Sequence, residues 1–132
     1  MEKKVDSRKE MIFVAINSVE HILWILDNYY AQRQVVLSLL KEVYNWYYNQ
    51  ISIKKARSFA FLAHDYARKE DIKFIKLIYR GVGHTLATAH VKKHGLIALD
   101  YCLKAVREFT KEQIIINHEL DFQKSLLSKL CL

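Results

Sequence analysis

The chain has 132 residues, 52% of them hydrophobic and 12% aromatic, with no proline and three glycines. This composition excludes a disordered chain, and the length allows one compact domain rather than two. We therefore expect a single helical domain over residues 1–132, with residues 1–8 frayed. The 21 basic and 14 acidic side chains give a formal charge of +7, which favours acidic partners but also occurs on ordinary solvated surfaces.

Apolar residues at helical spacing begin near the amino terminus. One stripe of residues alternately four and three apart predicts a long first helix, made of Ile12, Ile16, Val19, Leu23, Leu26 and Tyr30. A second helix is predicted from about Arg33 to Asn49. Its inward positions are Val36, Leu39, Leu40, Val43 and Tyr47.

The third predicted helix has an N-cap candidate at Ser52 and ends near Lys69. Its stripe consists of small residues, namely Ala56, Ala60, Ala63 and Ala67. Small side chains let a neighbouring backbone come close, so we expect this helix to be central in the fold.

Three further helices complete the prediction. Asp71 is expected to cap the fourth, which continues towards His90, and the fifth spans about His94 to Phe109. Thr110 and Gln113 match a capping box for a last helix from Lys111 to about Leu130. The pattern therefore predicts an all-α fold, a compact array of five to six helices that is bundle-like or orthogonal.

Residues 80–106 differ from the rest of the chain, because they contain every glycine and the histidines His84, His90 and His94. His90 and His94 are four residues apart and would share one face of a helix, as two metal ligands do. On a straight helix His84 lies about 120° away from them. A break near residues 91–93, beside Gly95, would bring the three together.

His64 and Asp65 on the third helix would complete such a site, but no carboxylate lies at a fixed ligand spacing. We therefore expect no metal or other cofactor and regard His84, His90 and His94 as weak metal candidates. The favoured interpretation is that the imidazoles pack and form hydrogen bonds between closely spaced helices.

The sequence contains no recognisable catalytic motif. Cys102 lies inside a predicted helix, no serine stands in a nucleophile elbow, and Gly81–Gly83 lacks the spacing of a phosphate-binding loop. We therefore expect a protein that is not an enzyme.

Basic residues are frequent on the third and fourth predicted helices and just beyond them: Lys54, Lys55, Arg57, Arg68, Lys69, Lys73, Lys76, Arg80, Lys92 and Lys93. They leave a one-sided basic patch open, but Lys54, Lys55 and Arg57 are spread around their helix, and no recognition helix is evident. The sequence thus does not favour a nucleic-acid partner.

The second predicted helix is rich in aromatic residues. Trp46 and Tyr47 are expected to pack in the core, whereas Tyr30, Tyr44 and Tyr48 are candidate interface residues, because tyrosine is favoured in protein interfaces.

The amino-terminal residues and the cysteines bear on the compartment. Residues 1–10 are mostly charged, and no apolar run approaches the roughly 18 residues of a membrane span. Cys102 and Cys131 show neither zinc spacing nor a disulfide framework, so Cys102 is expected to pack as an apolar residue and Cys131 to lie in a tail. We expect a cytoplasmic protein that does not bind membranes.

The segment GHTLATAHVKKHGLIALDYCLKAV resembles the signature of the immunity-protein-five-like family, which is linked to bacterial polymorphic toxin systems. The matching positions are Gly83, His84, Ala87, Thr88, Ala89, His90, Val91, His94, Tyr101, Lys104, Ala105 and Val106. Weaker similarity extends to Glu20, Leu23, Trp46, His64, Arg68, Phe122 and Gln123. The family's Arg-Pro-Arg step has no counterpart, since residues 32–34 read Gln-Arg-Gln.

This resemblance implies a helical protein that binds and neutralises a cognate toxin domain. Its candidate binding residues are then His64, His84, Thr88, His90, His94, Tyr101 and Lys104. Because like charges slow association, a +7 chain predicts a toxin partner with an acidic or neutral face. The alternative is a metal- or small-molecule-binding protein that uses a cluster of His64, His84, His90 and His94. The sequence leaves homo-oligomerisation open.

Overall fold

A computed structural model describes residues 6–130 as six α-helices and one short 3-10 helix, Leu23–Leu26. The α-helices are α1 (Ser7–His21), α2 (Tyr30–Tyr47), α3 (Ile53–Lys69), α4 (Lys73–Ala87), α5 (His94–Phe109) and α6 (Gln113–Ser128). No strand occurs within these residues, so the predicted all-α class is confirmed. Residues 1–5 of the segment expected to fray, and Cys131, lie outside the described part of the chain.

The prediction of one long first helix was wrong, because α1 ends at His21 and Tyr30 begins α2. Between them the backbone makes short-range hydrogen bonds, such as Ile25 N to Ile22 O at 3.1 Å. A 3-10 turn has about three residues per turn, so Ile22 and Ile25 point the same way. Both are buried together with Leu26, and this burial overrides the regular stripe.

The helix starts were predicted with mixed success. Ser52 caps α3 as expected, because its hydroxyl accepts from the amide of Lys55 at 3.1 Å. Asp71 does not cap α4, whose N-cap is Ile72 without a side-chain hydrogen bond.

The expected capping box of α6 is absent as well. Helix α6 begins at Gln113, two residues later than predicted from Lys111. The Thr110 hydroxyl therefore meets the amide of Glu112 at 3.1 Å, and the Gln113 side chain donates to Asn117 at 2.8 Å. A capping box requires the amide at the third helical position, which this start places out of reach.

Helix α4, rather than α3, is the central helix. It contacts α1, α2, α3 and α5, whereas α3 packs mainly on α4 and α2. The alanine stripe of α3 is buried against α4 as its small residues suggested, but the rest of α3 is largely exposed. Small residues thus correctly predicted a close contact and wrongly predicted which helix is enclosed.

The glycines serve close approach, since none of them has a positive φ. A Cβ built on Gly83 would lie 2.7 Å from Nε2 of His64, and one on Gly95 would lie 2.1 Å from Cγ of Met11. Cys102 lies beside Gly81 and is fully buried, as expected of a small apolar residue.

Among residues 6–130, every helix falls short of the length or the apolarity required to cross a bilayer.

The contact at Gly95 predicts a selective loss of stability. Gly95→Ala forces a methyl group into buried Met11, so we expect the free energy of unfolding to fall by about 1–3 kcal/mol in urea denaturation. Gly81→Ala is the matched control, because its Cβ would meet Cys102 Sγ at an ordinary 3.5 Å. Equal losses in the two variants would contradict the assigned packing.

Candidate functional site

Three histidines from three helices meet at one place, which we call the histidine junction: His64 of α3, Arg80 and His84 of α4, and His94 and Tyr101 of α5. Helix α4 ends at Ala87 and the chain turns before α5 begins. That turn brings His94 back beside His84. A break in this region was predicted, and it joins two of the three motif histidines.

His84 is the centre of the junction. Its Nδ1 lies 2.9 Å from Nδ1 of His94. Its ring stacks on the ring of Tyr101 with the two ring centres 5.3 Å apart, and the ring of His64 packs edge to face against it with the centres 5.0 Å apart. A hydrogen bond between two Nδ1 atoms requires that one donates and the other accepts. In this geometry the pair therefore cannot carry a proton on both Nδ1 atoms.

Arg80 fixes the protonation of His64. A guanidinium nitrogen of Arg80 lies 2.7 Å from Nδ1 of His64. Arginine only donates, so this Nδ1 accepts and the ring proton of neutral His64 lies on Nε2. The missing side chain of Gly83 leaves the room for that Nε2.

The surroundings keep the imidazoles neutral. Burial, and then the other histidines, lower the pKa of His84 from 6.5 to about 4. Burial and the positive charge of Arg80 lower the pKa of His64, and burial and Lys93 lower that of His94. Desolvation and cationic neighbours both disfavour the imidazolium form.

The acidic residues next to the junction do not offset the positive charges of Arg80 and Lys93. Asp65 pairs with Arg68 on α3, and Asp100 pairs with Lys104 at 3.0 Å on α5. The same Asp100 contact raises the pKa of exposed Lys104, whose Nζ lies 5.1 Å from the ring centre of Tyr101.

Two motif residues do not join the junction. His90 was expected to share a helix face with His94, but it lies in the turn, is exposed, and makes no ring contact or hydrogen bond with the described side chains. Thr88 is fully buried, and its hydroxyl donates to the carbonyl of His84 at 2.8 Å, so it stabilises the end of α4.

Arg80 belongs to the junction but was not predicted as a site residue, since the sequence analysis counted it only among the basic residues. Its position, four residues before His84, places both side chains on one helix face.

The metal alternative receives no support from the geometry. Within residues 6–130 no three His, Cys, Asp or Glu side chains are arranged so that they could hold a metal ion. Arg80 also occupies the free lone pair of His64 Nδ1, and a cation at that atom would be repelled by the guanidinium.

The three candidate interface tyrosines lie on the outer side of α2. Tyr30 is 76% exposed, Tyr48 64% and Tyr44 40%. The Tyr44 hydroxyl donates to the Glu20 carboxylate, and burial together with this contact raises the pKa of Tyr44 to about 12. Trp46 is buried as predicted, and Tyr47 is half-buried against the core.

A second polar cluster, between α1 and α6, was missed in the sequence. The Glu119 carboxylate is 2% exposed and accepts from Ser18 at 3.2 Å and from His21 Nδ1 at 2.5 Å. Gln123 donates to Ser18 and to the carbonyl of Leu99. His21 and Glu119 border a groove of about 530 Å³, which is also lined by Trp24, Val106, Ile114, Ile115 and His118. Two signals pointed to this cluster, namely polar residues on otherwise apolar stripes and the family resemblance at Gln123.

Comparison with known families gives one match. The family model described as Imm-5 like putative immunity protein matches residues 2–129. Searches of curated proteins and of solved structures return no significant match. The matched range includes the histidine junction, the exposed tyrosines and the Glu119 cluster.

The lowered pKa of His84 predicts acid destabilisation. The folded protein holds fewer protons than the unfolded chain below pH 6.5, so stability is complete above that pH and falls as the pH drops towards 4. Allowing for solvent screening of a half-buried ring, we expect a loss of about 1 kcal/mol between about pH 7 and pH 5 in urea denaturation. His84→Gln should flatten this dependence and exposed His90→Gln should retain it. The same slope in His84→Gln would contradict the assignment.

The Glu119 cluster predicts a second stability effect. Glu119→Ala leaves Ser18 and His21 without the carboxylate that accepts from them, whereas Gln123 keeps the Leu99 carbonyl, so we expect the free energy of unfolding to fall by about 3 kcal/mol. Glu119→Gln retains an acceptor oxygen and is expected to lose less. Chemical denaturation at neutral pH measures both, and a loss below about 1 kcal/mol in Glu119→Ala would show that the cluster is dispensable.

Proposed function

The chain belongs to the Imm-5 like putative immunity protein family, and on this basis we propose that it binds and neutralises a cognate bacterial toxin domain in the cytoplasm. The observation that carries the proposal is the extent of the match, residues 2–129, which includes every helix that the structure describes. Neutralisation then rests on binding rather than on a reaction catalysed by this chain.

The state of the cysteine supports inhibition by binding. Cys102 is fully buried, and burial raises the pKa of its thiol. A buried protonated thiol is a poor nucleophile. Among residues 6–130, the imidazole rings of the junction contact one another, Arg80 and Tyr101, and none of these rings contacts a serine or threonine hydroxyl that it could activate as a base.

We place part of the toxin-binding surface on the outer side of α2. Tyr30 begins α2 and Tyr48 is its C-cap, 18 residues later, so five helical turns place the two side chains on about the same side of α2, about 27 Å apart along its axis. Exposed Leu37 and Tyr44 lie between them on nearly the same face. This tyrosine stripe, Tyr30, Leu37, Tyr44 and Tyr48, offers rigid amphipathic side chains of the kind that dominate binding energy in interfaces.

The distribution of charge favours a toxin with an acidic or neutral face. The exposed residues of α3 include five cations, which are Lys54, Lys55, Arg57, Arg68 and Lys69. Only Asp65 opposes them on this helix. A positive surface speeds association with an acidic partner and slows it with a basic one.

Neutralisation is tested directly by co-expression. Cells that express the product of the neighbouring gene should lose viability, and co-expression of this chain should restore growth. Failure to rescue growth against every neighbouring gene product would contradict the proposal. A tight complex with a strongly basic nuclease domain, with an affinity that does not change with salt, would contradict the predicted acidic or neutral face.

The tyrosine stripe predicts which substitutions weaken the complex. Tyr48→Ala and Tyr30→Ala should each weaken toxin binding about tenfold to hundredfold, because both remove large exposed side chains at the proposed contact. Ile114→Ala on α6 removes a similarly exposed apolar side chain and should leave the affinity unchanged. Calorimetric titration measures all three, and wild-type affinity in both tyrosine variants would remove α2 from the interface.

A further inference from the structure

The histidine junction carries uncompensated positive charge. Arg80 and Lys93 form no ion pair within the described part of the chain, whereas Arg68 and Lys104 are paired with Asp65 and Asp100. The charges of Arg68 and Lys104 are cancelled by the aspartates that pair with them. Arg80 and Lys93 therefore leave a net charge of +2 beside three neutral imidazoles. A site of this kind attracts anions.

The donors of the junction are close enough to share one ligand. Arg80 and His84 are four residues apart on α4, so their side chains lie side by side. One guanidinium nitrogen of Arg80 contacts His64, which leaves the other N–H groups without a partner among residues 6–130. Arg80, His84 and His94 are all only partly buried, so solvent reaches them.

The contact between His84 and His94 limits proton uptake in the free protein. Their Nδ1 atoms, 2.9 Å apart, share one hydrogen, so the donating ring can take up a proton on its Nε2, but charging both rings would place two Nδ1–H groups against each other. An oxygen ligand that accepts from these N–H groups removes this conflict.

We propose that the histidine junction binds an oxyanion, which accepts hydrogen bonds from the Arg80 guanidinium and from an N–H that His84 or His94 gains on protonation. In the toxin complex the oxyanion is the carboxylate of an aspartate or glutamate side chain on the toxin. This second statement rests on the proposed function, whereas the first concerns the chain alone.

Binding of the anion is then coupled to proton uptake. The groups that face or flank the histidines are Asp65 and Arg68 of α3, Arg80 of α4, His90 and Lys93 of the turn, and Asp100, Tyr101 and Lys104 of α5. The two aspartates are paired and exposed, so no free carboxylate within the junction supplies the missing negative charge. A carboxylate from the ligand supplies this negative charge, and it raises the pKa of the imidazoles that contact it.

The chain alone provides the first experiment. The titration of His84 is followed by NMR in sodium sulfate, in sodium formate and in sodium chloride at equal ionic strength. We expect its midpoint to rise by about one pH unit or more in sulfate and formate relative to chloride. Equal midpoints in the three salts would overturn the site. A rise in sulfate but not in formate would overturn the carboxylate as its ligand.

Substitutions locate the site. Arg80→Gln should abolish the difference between the His84 titration midpoints in sulfate and in chloride. The difference is compared, rather than the midpoint itself, because removal of Arg80 also changes the pKa of His84 without any anion. Arg57→Gln makes the same change of charge on exposed α3 and should retain the difference. Arg80→Lys, which keeps the charge without the planar fork, should retain a reduced difference and serves if Arg80→Gln fails to fold. An equal loss in Arg57→Gln would assign the effect to general charge.

The toxin complex provides the second experiment. The affinity of the wild-type chain should increase about tenfold more than that of His84→Gln between about pH 7.5 and pH 5.5, because the complex takes up a proton. A parallel pH dependence in the two proteins would overturn the carboxylate contact while growth rescue still supports neutralisation. Absence of rescue with a retained sulfate effect would overturn the proposed function and leave the anion site standing.

Discussion

Helix α4 lies against α3 on one side and α5 on the other, and each contact uses a glycine of α4. Gly83 leaves room for the His64 ring, and Gly81 faces Cys102 of α5 at van der Waals distance. A side chain at Gly83 would have to displace the His64 ring, whereas a methyl group at Gly81 would stand at an ordinary contact distance from Cys102. The distances within the histidine junction follow from this packing, since His64, His84 and His94 stand on the three helices concerned. Fold and candidate site therefore depend on the same close approach.

The sequence predicted helices well where one apolar face decides the structure. Ser52 and the alanine stripe predicted α3, and α5 was predicted from His94 to Phe109 as observed. The prediction failed between His21 and Tyr30. The consecutive apolar residues there fit an α-helix and a 3-10 helix equally well, so only burial in the tertiary structure decides between the two. The end of α2 was predicted within two residues, and Asn49 follows it with φ 62°, a left-handed conformation that asparagine adopts more readily than most residues.

The site was predictable in composition but not in geometry. The motif contained His84, His94 and Tyr101, yet their contacts depend on where α4 ends, and no proline or glycine marks Ala87. His90 was predicted as the partner of His94 because a spacing of four residues places two side chains on one face only when the helix is continuous. Glu119 could not be assigned to His21 at all, since the two residues are 98 positions apart in sequence and no local pattern signals that pairing.

Packing alone does not account for an imidazole at position 84. A phenyl ring there would stack between His94 and Tyr101 as well, and would avoid the cost of burying a polar ring whose charged form is disfavoured. What an imidazole adds is the hydrogen bond to Nδ1 of His94 and the ability to gain a proton when the surroundings change. In the free protein burial, the other histidines and Arg80 suppress that gain at His84, and burial and Lys93 suppress it at His94, whereas an anionic group beside these rings opposes the effect of the two cations. The positive charge of the junction is then greatest when the partner is bound, which favours acidic partners over neutral ones beyond what the +7 of the chain provides.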